Sequence, residues 1–252
     1  MKLLGPLLVF CGIASAQIAV MPDLSMDRPV PANLLRFYLK FPKAMARGRV
    51  AGKLHLLRED GSAVAMPFLD MELWDREQRT LTVLIDPGRV KRGVAPQQEL
   101  GEVFEAGRRY TLVVDADVPD ASGAPLGVGL RREFGVGLAL RQGIDPNQWR
   151  VSARADAVTV DFDRTMDAEI ADWALDVFDA SGRVREGEVR IEQDGARWVF
   201  RPAKALEPGR YELRIDPAIE DPEGNRLGRP FDVDVAMRPA SGVTTVLRFE
   251  IE

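Results

Sequence analysis

The sequence predicts an all-β protein, two β-sandwiches in tandem behind an export leader. Three observations carry that expectation. Short alternating apolar runs are closed by turn residues, one order of such runs occurs twice, and an apolar N-terminus ends in small residues. At 252 residues the chain has room for one large domain or two of about 100 residues each. Hydrophobic residues make up 46% and charged residues 29%, the balance of a globular protein and too apolar for wholesale disorder.

The leader comes first. Lys2 supplies a short positive region, Leu3 to Ile13 an apolar one, and Ala14-Ser15-Ala16 a small-x-small cleavage site that leaves Gln17 as the mature N-terminus. The apolar run is too short to span a bilayer, and no other stretch approaches the roughly 20 apolar residues a membrane helix needs. Cys11 follows the bulky Phe10, whereas lipidation requires a small residue before the cysteine, so no lipid anchor is expected. The exported chain then has no cysteine, and its domains must stand on their cores without disulfides.

The repeat comes next. Leu35, Phe37, Leu39 and Phe41 alternate, as do Val158, Val160 and Phe162, so each run has one buried face and one solvated face. Phe41-Pro42-Lys43-Ala44-Met45 ends the first run and Phe162-Asp163-Arg164-Thr165-Met166 the second. A strand and hairpin turn follow in both: Leu54–Arg58 with Asp60-Gly61, and Leu175–Phe178 with Ser181-Gly182. Further on, Glu105 to Asp115 reads against Glu207 to Asp216, and Asp120 to Leu126 against Asp221 to Leu227. Each copy is expected to close on a strand bearing a Phe, Phe134 in one and Phe231 in the other. No segment sustains a 3.6-residue period, so helices are expected only as short connectors.

In these residues the chain resembles the bacterial Ig-like domains of S-layer proteins, the SbsA-type or Big_5 group. The pattern is an apolar strand, F-x-x-x-M, a D/S-G turn, G-x-x-Y-x-L, a D-x-x-G-N-x-L hairpin and a closing strand with Phe. The second copy keeps Phe162, Met166, Asp179, Gly182, Gly209, Tyr211, Leu213, Asp221, Gly224, Asn225, Leu227 and Phe231. The first keeps Phe41, Met45, Gly61, Gly107, Tyr110 and Leu112 but has Ala124 where Asn225 stands. The resemblance implies two tandem immunoglobulin-like β-sandwiches and says almost nothing of activity. Domain one is placed at 17–140, domain two at 145–237 and a strand-like tail at 238–252, with Arg141 to Pro146 as the joint.

Function is sought where the copies differ. Residues 88–104 separate Pro87 from Glu105, against only 203–206 between Pro202 and Glu207. This insertion, 87–104, carries Arg89, Lys91 and Arg92, a basic spot offered as partner-binding on a protein of net charge −5. It is expected to be dispensable for folding, because the second copy closes without it. Asp115, Asp117 and Asp120, and Asp216, Glu220, Asp221 and Glu223, flank the two last hairpins and are candidate Ca²⁺ ligands. The same residues serve as ordinary turn formers, and neither cluster has the spacing of a dedicated calcium loop.

Other chemistry is scarce. With one His and one Cys, most metal sites and nucleophile–histidine pairs are excluded; His55, out of phase with Leu54 and Leu56, is expected at the surface. Copper sites of small periplasmic sandwiches use several histidines, and here there is one. Trp74, Trp149, Trp173 and Trp198 would stack sugars only as a solvent-facing row. The acidic balance excludes a nucleic-acid face, and no catalytic motif is found. The expectation is an exported, periplasmic or extracellular, non-catalytic module without cofactors that contacts another envelope or extracellular protein. The alternative is a small-ligand module for Ca²⁺ or carbohydrate.

Overall fold

The computed structural model describes residues 17–232 and 245–252; the leader reading, at residues 1–16, lies outside them. In chain order the first sandwich contains β1 (Ala19–Met21), β2 (Val30–Pro31), β3 (Arg36–Lys40), β4 (Leu54–Arg58), β5 (Leu73–Trp74), β6 (Thr80–Leu84), β7 (Arg109–Val114) and β8 (Leu130–Gly137). The second contains β9 (Arg150–Arg154), β10 (Ala157–Asp161), β11 (Leu175–Asp179), β12 (Gly187–Glu192), β13 (Arg197–Pro202), β14 (Gly209–Ile215) and β15 (Thr245–Ile251). Helices are brief connectors: α1 (Pro87–Val90), α2 (Ala95–Leu100) and α3 (Ala168–Ala171).

Four sheets build the two sandwiches. In the first, the order β1-β3-β6-β5 faces β2-β8-β7-β4; in the second, β12-β13-β10-β9 faces β11-β14-β15. All pairings are antiparallel except β2 with β8. The second sandwich has the seven-strand arrangement of immunoglobulin constant domains, four strands against three, and the first adds a split entry strand that visits both sheets. The fold is therefore all-β, two immunoglobulin-like sandwiches in tandem.

Alternation decides which residues meet inside. Phe37 and Leu39 on β3, Leu81 and Val83 on β6, and Leu112 and Val114 on β7 are buried while their neighbours point out. One apolar cluster draws on residues from Ile18 to Val136, the other on residues from Ile144 to Ile251. Tyrosines near the start of β7 and β14 fix the corner before each strand. The Tyr110 hydroxyl accepts from the Glu105 amide (3.0 Å), and the Tyr211 hydroxyl donates to the Glu207 carbonyl (2.9 Å).

The closing strand of the second sandwich differs from the expectation. Tyr110 faces Phe134 across β7 and β8; the matching pair across β14 and β15 is Tyr211 with Phe249, stacked at 5.6 Å between ring centroids. The tail from Thr245 is thus the last strand of the sheet, and Ile251 lies in the core. Phe231 sits in a bend, only partly buried, and packs on the core of the first sandwich.

Phe162 is buried edge-on against Trp149, with ring centroids 4.8 Å apart. Phe162→Ala is expected to cost about 3–5 kcal/mol in a denaturant melt. A loss below about 1 kcal/mol would show that this ring contributes little to the second core.

Candidate functional site

The outward stripe of β3 builds the densest polar arrangement among the described residues. Because Phe37 and Leu39 point inward, Arg36, Tyr38 and Lys40 point outward together, and they meet the start of α3 in the second sandwich. Asp167 caps α3 by accepting from the amides of Glu169 and Ile170 (both 3.1 Å). Its carboxylate also takes the Tyr38 hydroxyl (2.7 and 2.8 Å) and the Arg36 guanidinium. Arg36 reaches on to Glu220, and Lys40 pairs with Glu169 at 2.8 Å. Backbone joins in: the amides of Leu35 and Arg36 donate to the Pro222 carbonyl (3.0 and 3.1 Å).

The D-x-x-G-N hairpin supplies the other half. Asp221, fully buried, accepts from the Asn225 amide (2.8 Å) and side chain (2.9 Å) and pairs with Arg164 (3.3 Å). Lys43 does the same for Asp120 in the first sandwich (2.6 Å), so the basic residue inside F-x-x-x-M anchors the hairpin aspartate in both copies. Asn225 also explains why the copies diverge. Its side chain donates to the Leu140 carbonyl (3.0 Å), which Asn33 of the first sandwich grips as well (2.8 Å). Ala124 has no connecting segment to hold. Gly224, with φ +80°, accepts the turn, and a Cβ there would come within 2.8 Å of Leu35 in the first sandwich.

Electrostatics at this joint are unusual. Asp167, Glu220, Asp221 and Glu223 are all buried, facing Arg36, Arg164 and Arg226. Burial alone would lower the Arg36 pKa, yet the adjacent Asp167 and Glu220 hold it above its ordinary value. Tyr38 is pushed up by burial and by the Asp167 charge. Burial, then the neighbouring Asp221, holds the Glu223 carboxyl well above the usual carboxylate range. The folded protein thus keeps a proton on Glu223 that the unfolded chain releases near pH 4.5. Stability through this group falls as pH rises from there, until the raised folded value is passed. Glu223→Gln, which mimics the protonated acid, is expected to melt higher than the parent at neutral and alkaline pH. The gap should widen by about 3–5 °C per pH unit across the titration window. A gap that does not vary between pH 5 and 9 would count against a buried proton here.

Of the three basic residues of the insertion, Arg89 turns inward, Lys91 is half-buried and Arg92 stays exposed. Arg89 is 2% exposed and donates to the carbonyls of Ala65, Met66, Leu100, Gly101 and Glu102, so it staples its own loop and offers no charge to a partner. Lys91 lies over the Phe231 ring at 4.6 Å, and Arg92 pairs with Asp232 (2.6 Å), which Arg141 also holds (3.1 Å). Nor is the loop an appendage: Val90, Val103 and Phe104 belong to the first core, with Phe104 edge-on to Tyr110 and Phe134. Packing of this kind, which the apolar residues of the insertion foreshadow, argues against a segment dispensable for folding. The physical reason is that its apolar residues complete the sandwich, while its cations are engaged within the chain by carbonyls, the Phe231 ring and Asp232.

The candidate calcium ligands are scattered. Asp115 meets His55 (3.1 Å) at the surface, Asp117 meets Lys53 (2.6 Å), and Asp216 accepts from the Ala218 amide (2.7 Å). Among the described residues no group of three or more His, Cys, Asp or Glu is placed to hold a metal. Nor do the tryptophans form a row: Trp149 and Trp198 are buried, Trp74 is partly so, and Trp173 is exposed. The joint is not among the sites expected from the sequence, although Arg36-x-Tyr38-x-Lys40, opposite an apolar face, is a visible signal of it.

No helix among the described residues is long and apolar enough to cross a membrane. No family model and no curated protein matches the chain. Similar solved structures include domains 1–6 of the surface layer protein SbsC, at 11% identity and TM-score 0.32, covering 94% of this chain and 25% of that one. The N-terminal part of SbsC matches at 12% identity and TM-score 0.33, over 94% and 44%. A chimeric titin Z1Z2 matches at 10% identity and TM-score 0.27, over 94% and 98%. The chain spans less than half the length of the two SbsC structures, and likenesses this distant carry no argument about function.

Proposed function

We propose that the protein is an exported, non-catalytic structural or interaction module of the SbsA-type Ig-like group, its two domains near 17–140 and 145–252 held in one orientation. Its role is to contact another envelope or extracellular protein. One observation supports this reading above others: the buried ionisable groups at the joint bind each other across the two sandwiches. Arg36 of the first sandwich on Asp167 and Glu220 of the second crosses the joint, while Arg164 on Asp221 holds the hairpin within the second, and their charges are occupied within the chain. A fixed tandem is suited to presenting strand edges and loops at set spacing.

The test uses the full exported chain as bait against envelope and culture-fluid fractions, alongside a calcium titration followed by melting. Saturable recovery of one protein, with a melting temperature insensitive to calcium, supports the module. A melting temperature that climbs with calcium would favour the ligand-binding alternative, because a ligand specific to the native state stabilises it.

A further inference from the structure

The strand β15 is the outermost member of the sheet β11-β14-β15, and among the described residues nothing pairs with its free edge. The equivalent edge in the first sandwich is covered. There β2 runs parallel to β8, with Val30 opposite Val136 and Pro31 opposite Gly137. In the second sandwich the chain enters on β9, which pairs with β10 and ends the other sheet on the same side. Both sheets therefore stop together, and Val151, Ala153, Leu247 and Phe249 on these two strands are only partly buried against the core. A seven-residue open edge of this kind is a ready template for another strand.

We propose that β15 pairs antiparallel with β15 of a second copy of this chain, about a two-fold axis through Phe249. The occupant follows from the strand's own sequence. Leu247, Phe249 and Ile251 face the core side; Arg248 and Glu250 are exposed on the other. An axis at Phe249 sets Arg248 opposite Glu250 of the second copy and Glu250 opposite its Arg248. It also sets Leu247 opposite Ile251 and Phe249 opposite itself. An axis at Arg248 would oppose two arginines. A register with the axis between two residues would set outward side chains against inward ones. Within each copy Arg248 already lies near Glu212 (3.5 Å) and Glu250 near Arg210 (3.0 Å), so the new pairs would extend an alternating row of charge across a continuous six-stranded sheet. The other long open edge, β12, carries Glu188 and Glu192 with Glu186 beside it and a single Arg190, an acidic border that repels its own copy. Such an interface is isologous and closes at two.

This goes beyond the function proposed above, which a strictly monomeric chain would leave standing. Sedimentation of the full exported chain over a concentration series is expected to show a reversible dimer. Arg248→Glu should weaken it at least tenfold by setting Glu against Glu, and Glu250→Arg should do the same by setting Arg against Arg. The double exchange Arg248→Glu with Glu250→Arg should recover most of the association, while Glu188→Arg on β12 should leave it unchanged. Because Cys11 is the sole cysteine of the sequence, Phe249→Cys with Cys11 removed or replaced by Ala gives a single-thiol chain. Directly opposite residues of antiparallel strands sit about 4.5–5.5 Å apart at Cα, within disulfide range, so mild oxidation should crosslink it. Melting curves confirm that each variant is folded. A chain that is monomeric at every concentration overturns the proposal, as does a dimer indifferent to Arg248→Glu or a double exchange that fails to recover.

Discussion

Exchanging residues 88–104 for the short crossing Ala203-Lys204-Ala205-Leu206 is expected to destabilise the first sandwich by upward of about 4 kcal/mol. The insertion places Val90, Val103 and Phe104 in the core, each at most 6% exposed. Burying a valine side chain contributes roughly 1.5–3 kcal/mol, so two of them already approach the figure. Leu206 is the counterpart of Phe104, buried just ahead of the tyrosine corner, and it would refill only part of the space left by the larger ring. The exchange also removes Arg89, leaving the carbonyls of Ala65 and Met66 without their donor, and it frees Phe231 and Asp232 from Lys91 and Arg92. Against a total of about 5–15 kcal/mol for a typical domain, this is a large fraction. Urea melts of parent and variant measure it. A midpoint that stays within experimental error would make the loop an ornament after all.

Arg36→Met is expected to cost about 3–5 kcal/mol and to separate the melting of the two sandwiches. Asp167 and Glu220 are buried at the joint, and removing the guanidinium leaves Asp167 without a cation and Glu220 with Arg226 alone, in a site sealed by Tyr38, Leu35 and Pro222. Calorimetry should show one transition becoming two. Adding Asp167→Asn and Glu220→Gln to Arg36→Met should return part of the loss, since the stranded charges go with the partner. A loss below about 1 kcal/mol, or no recovery in the triple variant, would mean that solvent reaches this network and screens it.

Some of this was readable in the chain and some was not, and the division follows the range of the interactions. Strand positions, turns and the doubling of the pattern are local: alternation at period two marks a half-buried strand wherever it occurs, and Gly61 and Gly182 take the positive φ of their turns. The tyrosine corners fall in the same class, since Tyr110 and Tyr211 reach only a few residues back. Pairing is not local. Phe231 and Phe249 both follow the last hairpin of the second copy, and only the register of β14 with β15 chose Phe249 to stack on Tyr211. Arg89 looks like any surface arginine until the folded loop and the segment at Ala65 and Met66 close five carbonyls around it. The joint is furthest from reach. Arg36, Tyr38 and Lys40 read as a solvated face, and so they would be on a lone sandwich. A second sandwich docked against that face takes them out of water, and removal from water gives Arg36, Asp167 and Glu223 their energies.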